Sequence, residues 1–279
     1  MKKDLVVITW DGKGQPFGLV RFDAAPDFEL VVLCYNGEPE SRPEGVRLLA
    51  HKTEFKGHTF TVLIEKLREV EAEIAPDEIG YVAFVDDDIE IAISGINTML
   101  ADARAHGYGL FSASLTPDSP HSHARFISRP GSHKRVLEWV EVMAPFMRWE
   151  ILRAAAPVIK GNISSYGIDQ FVMPMLQKLL GLPHAVLYDS VAMRHTRAIT
   201  SGARAYSNGL TAAQERVLQR RRCLNHVRAV RPDLVGTAWW FSWAAPWNAP
   251  LRFLAPRLWQ PLAMLRSGLR RLSGQPASP

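Results

Sequence analysis

Three consecutive aspartates, Asp86, Asp87 and Asp88, end the apolar run Tyr81-Val-Ala-Phe-Val85, and apolar residues resume at once. Carboxylates this close repel by several kcal/mol in a low-dielectric setting unless a cation sits among them. Residues two apart at a strand end point to the same side, so Asp86 and Asp88 converge and Asp87 faces away. Two convergent carboxylates suit a hard divalent cation, Mg²⁺ or Mn²⁺, whose other positions fall to substrate phosphates and water. Downstream, His195 lies between Arg194 and Arg197, and guanidinium groups can grip a diphosphate through paired hydrogen bonds. Asp169 reads in two ways: as the N-cap of the helical pattern that follows it, or as a base at a cleft edge.

The elements needed to hold these groups are legible in outline. Residues 81–85 are valine-rich and aromatic, which suits a central strand covered on both faces. Ligands of open α/β sheets sit just outside the carboxyl ends of such strands. Short apolar runs at 5–9, 28–33 and 46–50 read as earlier strands. Residues 59–74 carry Phe60, Leu63, Ile64, Leu67, Val70 and Ile74 at helical spacing. Ser94 caps a second helix, with Ile96, Met99, Leu100 and Ala103 inward and Gly107 at its end. A strand over 108–114 follows. This order predicts an α/β, Rossmann-like doubly wound fold, with a mostly parallel sheet and helices on both faces.

Beyond it, 115–135 is an irregular Pro-, Ser- and His-rich stretch, and 136–143 reads as a strand. Pro145 opens a helix over 146–156. Asp169 begins another, with Phe171, Val172, Met175, Leu176, Leu179 and Leu180 inward and Gly181 as its stop. A short strand at 185–187 leads into the turn Tyr188-Asp189-Ser190 and then to His195. Thr211-Ala-Ala-Gln214 matches a capping box and opens a basic helix reaching Val230.

At 279 residues with 47% hydrophobic and 22% charged side chains, the chain is an ordinary globular protein. Cys34 and Cys223 stand far apart, which disfavours a disulfide framework and points to a reducing cytoplasm. Asp233 is the last acidic residue, whereas Arg252, Arg257, Arg266, Arg270 and Arg271 follow it. The net charge of +5 therefore belongs wholly to the tail. The neutral body argues against nucleic-acid binding. We place a boundary between a catalytic domain at 1–233 and an extension at 234–279. That extension holds Trp239, Trp240, Trp243, Trp247 and Trp259. Interfacial tryptophan and arginine are compatible with peripheral attachment at the inner face of a membrane. Packing of the same segment on the main domain is the competing expectation.

The strand ending in three aspartates resembles the Asp-x-Asp motif of GT-A type, metal-dependent, nucleotide-sugar glycosyltransferases. Four further stretches resemble one family of that superfamily, assigned as glycosyltransferases and without a settled reaction. They are Phe111-Ser-Ala-Ser-Leu-Thr-Pro-Asp118, Trp139-Val-Glu-Val-Met-Ala-Pro-Phe146, Tyr166-Gly-Ile-Asp169, and Tyr188-Asp-Ser190 through His195. The resemblance covers roughly residues 50–202. The resemblance implies that Asp86 meets the ribose or a positioning cation, and that Asp88 and His195 ligate the metal. It implies that Asp169 is the catalytic base of an inverting reaction and that Trp10 and Asp11 receive the nucleotide base. Arg194 and Arg197 would meet the donor diphosphate, and Trp139, Glu141 and Tyr166 a carbohydrate or lipid-linked acceptor.

Neither a Walker loop nor a Gly-x-Gly-x-x-Gly follows the first strand, which disfavours P-loop and dinucleotide sites. The expected activity is Mn²⁺- or Mg²⁺-dependent sugar transfer from a nucleoside-diphosphate donor to an acceptor hydroxyl. The alternatives are a metal-dependent nucleotidyltransferase or phosphodiesterase, and a non-catalytic nucleotide- or carbohydrate-binding module.

Overall fold

The computed structural model describes residues 2–39, 41–74, 78–199 and 202–235. The tail expected to form a membrane-facing extension lies outside the described residues. The chain divides into two compact units after Val230. In the second unit only a 3₁₀ turn at Pro232–Leu234 is regular among the described residues.

The first unit opens with strands β1 (Lys3–Trp10), β2 (Val20–Arg21), β3 (Glu29–Cys34) and β4 (Arg47–Ala50). Helix α1 (Lys56–Ile74), strands β5 (Ile79–Val85) and β6 (Ile89–Ala92), helix α2 (Ile93–His106) and strand β7 (Leu110–Leu115) follow. Then come β8 (Lys134–Leu137), β9 (Phe146–Arg148), α3 (Trp149–Ile159), α4 (Met173–Leu179), β10 (Ala185–His195) and α5 (Ala212–Val230). The described strands form one mixed sheet in the order β4-β3-β1-β5-β9-β7-β10-β6-β2, with β8 on β10. Strands β4, β3, β1 and β5 are mutually parallel, as are β7 and β10. Strand β9 lies antiparallel between β5 and β7 and joins the two parallel sets.

Alternation along the central strands divides the core between two faces. Val6, Ile8, Ala83 and Val85 face Ile96, Met99, Leu100 and Ala103 of α2, all buried. Phe84 points the other way and stacks on Phe60 of α1, with ring centroids 4.4 Å apart. The α/β expectation with helices on both faces holds.

Several local readings are corrected. Residues 136–143 are not a strand, because pairing stops at Leu137. The carbonyls of Met143 and Pro145 accept N–H bonds from Asp86 and Phe84, so 143–145 runs as an irregular edge beside β5. Pro145 thus leads into strand β9, and the helix starts at Trp149 and contains Pro157. Strand β10 is continuous where a turn was expected at Tyr188-Asp189-Ser190. Its register shifts there, and both Asp189 and Ser190 donate their N–H groups to the carbonyl of His133. The Asp189 side chain is fully buried against Arg135. Strand β6, unread in the sequence, resumes directly after the aspartates.

Two caps also differ. Ser94 lies within the first turn of α2, and its N–H and hydroxyl both donate to the carboxylate of Asp23. Asp169 sits inside a π-helical turn, Ile168–Val172, whose N-cap is Gly167 at φ 87°. Pro174, at the second position of α4, has no N–H to donate, which fits a wide turn before a regular helix. The capping box at Thr211 forms in both directions: Thr211 N–H donates to Gln214 Oε1 at 2.9 Å and Gln214 N–H to Thr211 Oγ1 at 3.4 Å. No described helix is long and apolar enough to cross a membrane.

Candidate active site

A cavity of about 620 Å³ opens at the carboxyl ends of β1 and β5, a size suited to a small-molecule ligand. Asp86, Asp87, Asp88, Glu141, Asp169 and His195 all line it, with Tyr35, Lys56, Tyr166, Arg197 and Arg216. The aspartates form the turn between β5 and β6, closed by Ile89 N–H donating to the Asp86 carbonyl at 3.1 Å. Antiparallel pairing of β6 with β10 sets His195 opposite Ile89, hence beside Asp88. Thr196 reinforces this, donating N–H and hydroxyl to the Asp88 carbonyl at 2.9 and 3.0 Å.

The three carboxylates have three different partners. Asp86 pairs with the Lys56 ammonium at the start of α1. Asp87 accepts from the Tyr35 hydroxyl at 3.0 Å and from two nitrogens of Arg197 at 3.2 and 3.1 Å. Asp88 Oδ2 stands 3.3 Å from His195 Nε2. The expected convergence of Asp86 with Asp88 and His195 is therefore incomplete. Among the described residues no three His, Cys, Asp or Glu side chains gather as a ready metal cluster. Asp87, expected to take least part, is the most fully engaged of the three.

The Asp88–His195 pair nonetheless fits a cation. His195 Nδ1 donates to the Pro120 carbonyl at 2.9 Å, and the hydrogen bond from Nε2 to Asp88 raises the pKa of the ring, so the Nε2 proton is the one a cation would displace. Metal-bound histidines anchor their other nitrogen in this way. Asp88 Oδ1 is buried without a hydrogen-bond partner. One carboxylate and one imidazole leave the remaining coordination positions to a ligand, as Mg²⁺ and Mn²⁺ sites commonly do.

Two further carboxyls face the cavity in unusual states. Burial pushes Asp169 up to about 7, offset by the Gln170 N–H that donates to its Oδ1 at 2.8 Å. Burial, with the charge of Asp169, pushes Glu141 up to about 8. Glu141 Oε2 is another buried atom without a partner. Burial also raises Asp86 to about 6 against the pull of Lys56. Burial therefore favours the protonated form of Glu141 and holds Asp169 well above the ordinary carboxylate range.

The loop 162–167 that carries Tyr166 to Asp169 is held from below. Glu215 of α5, 2% exposed, accepts from Ile163 N–H at 2.9 Å and Ser164 N–H at 2.6 Å. Ser165 adopts φ 72°, an uncommon conformation for a side-chain-bearing residue. Gly57 is needed where α1 meets this loop, since a Cβ there would lie 2.3 Å from Asn162 Oδ1 and 2.6 Å from Ser165 N.

Of the residues singled out in the sequence, four lie elsewhere. Trp10 is packed with Val32 and Cys34, its indole N–H donating to the Lys13 carbonyl at 2.8 Å, and it does not line the cavity. Asp11 accepts from Lys13 N–H at 2.9 Å in its own turn. Arg194 pairs with Glu90 on β6 at 2.8 Å. Trp139 packs edge-on against Phe126, centroids 4.8 Å apart, behind the cavity wall. Lys56, Tyr35, Arg216 and Glu215 had no signal in the sequence. Lys56 opens α1, Tyr35 follows β3, and Glu215 and Arg216 share α5, so only the fold assembles them.

No family model and no curated protein sequence matches the chain. Solved structures do resemble it. GalNAc-T7, determined with UDP, GalNAc and Mn²⁺, superposes at a TM-score of 0.53 with 11% identity, over 85% of this chain and 52% of that one. S. aureus TarS residues 1–349 with UDP-GlcNAc gives a TM-score of 0.48 and 15% identity, over 82% and 73%. The architecture shared with GalNAc-T7 is the GT-A fold.

Proposed function

We propose that this protein is a nucleotide-sugar glycosyltransferase that works with a divalent cation. The observation that carries the reading is the Asp88–His195 pair. An unpartnered carboxylate oxygen and an imidazole locked through Nδ1 stand together at the strand end of a GT-A fold. Asp88 and His195 would hold Mn²⁺ or Mg²⁺, whose chemistry there is neutralisation of the diphosphate leaving group. Arg197, on the rim beside Asp87, would meet the same diphosphate. Tyr166, 37% exposed, and the protonated Glu141 would orient an acceptor, one by its ring and the other by donating a hydrogen bond.

Asp169 then takes the proton from the acceptor hydroxyl as that oxygen attacks the anomeric carbon. Its carboxyl at about 7 suits a base near neutral pH, since it is ionised in a large share of molecules and still basic enough to accept. Direct attack by a deprotonated acceptor gives inversion. Trp10 and Arg194 have no part in this scheme, because neither borders the cavity.

The test is a thermal-shift screen of UDP-, GDP-, ADP- and CMP-linked sugars with and without Mn²⁺, followed by assay of the nucleotide released by any hit. A donor that raises Tm only with Mn²⁺ and yields free nucleoside diphosphate supports the reading. Release of diphosphate, or of nucleoside monophosphate from a UDP-, GDP- or ADP-linked sugar, assigns a nucleotidyltransferase or phosphodiesterase instead. Binding without turnover leaves a non-catalytic module.

A further inference from the structure

Lys56 occupies an unfavourable place for a lysine. It is the first residue of α1, where the helix dipole is positive, and the first turn holds no acidic residue to offset it. Its side chain is only 15% exposed, and its ammonium lies 5.6 Å from the centroid of the Phe84 ring. The backbone cannot relax away, because Gly57 N–H donates to the Ile163 carbonyl at 2.8 Å and Gly57 is wedged against 162–165. What balances the position is the cavity itself. The ammonium is paired with Asp86 and acts electrostatically on Asp88, Glu141 and Asp169 as well.

A partly buried lysine bound to one carboxylate and near three more is a resident counter-cation. A divalent ion arriving at Asp88 and His195 brings positive charge into the same carboxylate cluster. Asp86 then has two suitors, and the like charges of ion and ammonium repel. A nucleoside diphosphate brings the opposite charge and offers a displaced ammonium a new partner, since lysine is a mobile point charge on a flexible stem.

We propose that Lys56 is a binding residue for the donor's diphosphate, held on Asp86 until cation and donor arrive. This rests on the donor-cleft reading above. Two consequences of opposite sign follow for Lys56→Met. Without the ammonium, Asp86 is free and Mn²⁺ alone binds roughly tenfold tighter. With Mn²⁺ present, the nucleoside diphosphate loses a cationic partner and binds roughly tenfold weaker. Lys56→Arg, which keeps the charge, reverses both changes.

The experiment is calorimetric titration of wild type, Lys56→Met and Lys56→Arg with MnCl₂ alone, then with UDP, GDP, ADP and CDP in excess Mn²⁺. Circular dichroism checks folding, and Lys56→Gln replaces the methionine variant if that fails to fold. Tighter metal with weaker nucleotide is the expected pair, because a merely structural lysine would weaken both. Unchanged or weaker Mn²⁺ binding in the neutral variants overturns the proposal, and so does unchanged nucleotide binding. The proposal also falls if no nucleoside diphosphate binds any form. Opposed shifts without sugar transfer would sink the transferase reading alone, whereas transfer without opposed shifts would sink only the role of Lys56.

Discussion

Asp169→Asn should make the folded protein more stable at pH 8 while removing sugar transfer. The burial that raises the carboxyl from 3.8 to about 7 means that the folded chain holds this proton more tightly than the unfolded chain does. Its contribution to stability is therefore full below about pH 4 and declines as pH rises to about 7, beyond which it stays lost. At about 1.36 kcal/mol per pH unit, the gap of some three units sets a ceiling of about 4 kcal/mol. Relaxation and local hydration reduce such values, so roughly half, about 2 kcal/mol, is the working expectation. Asparagine keeps an Oδ1 to accept the Gln170 N–H and never ionises. It also removes the charge that helps raise Glu141. For a domain of this size about 2 kcal/mol corresponds to a Tm increase of about 4–8 °C. The assay is differential scanning fluorimetry of wild type and variant from pH 4.5 to 8.5. The Tm gap should open across pH 4.5–7 and then level off. A gap that does not vary with pH, or a variant less stable at pH 8, would falsify the picture of a carboxylate held ionised against its burial.

Two other substitutions probe the cation pair and the loop. Asp88→Ala removes the unpartnered oxygen facing His195 and should abolish Mn²⁺-dependent donor turnover; full activity in that variant excludes the proposed cation site. Glu215→Gln replaces one acceptor of the Ile163 and Ser164 N–H groups by a donor, and buried charge-assisted bonds of this kind contribute about 1.5–3 kcal/mol each. A loss of about 2–4 kcal/mol in urea denaturation is expected, whereas a loss below about 0.5 kcal/mol would show the loop to be held by other contacts.

The strand end at Asp86 to Asp88 was legible, although an apolar run stopping in aspartates suits a plain polar turn as readily as a ligand site. The position of His195 beside Asp88 was not, since it depends on strand β6, four residues long and hidden behind the aspartates. Trp10 misled for a general reason. An aromatic residue at a strand end can face the core or the ligand, and a one-residue difference in register decides which. Here Thr9 points to the cleft, its hydroxyl accepting the Asp87 N–H at 3.0 Å, and Trp10 points away. Asp169 kept both of its sequence readings open until the π turn showed the cap to be Gly167. Lys56 and Glu215 stayed hidden for a different reason: a lysine opening a helix and a glutamate in an arginine-rich helix look like solvated surface, and only burial gives them meaning.

These hidden residues explain how the cleft tolerates its own electrostatics. Asp86, Glu141 and Asp169 are all raised by burial, and Asp88 and Glu141 each keep an oxygen without a partner. Such groups oppose folding, so the surrounding frame must be rigid enough to hold them. The rigidity comes from one junction. Loop 162–167 donates N–H bonds from Ile163 and Ser164 to Glu215 below it, packs closely on Gly57 from the side, and leads through Gly167 into the turn bearing Asp169. The same approach of Gly57 fixes the start of α1, and with it Lys56. Asp169 and Lys56 are thus both set by one packing contact between two backbones. Loosening it would shift both at once, which makes this junction, more than any single carboxylate, the part of the fold on which the arrangement of the cleft depends.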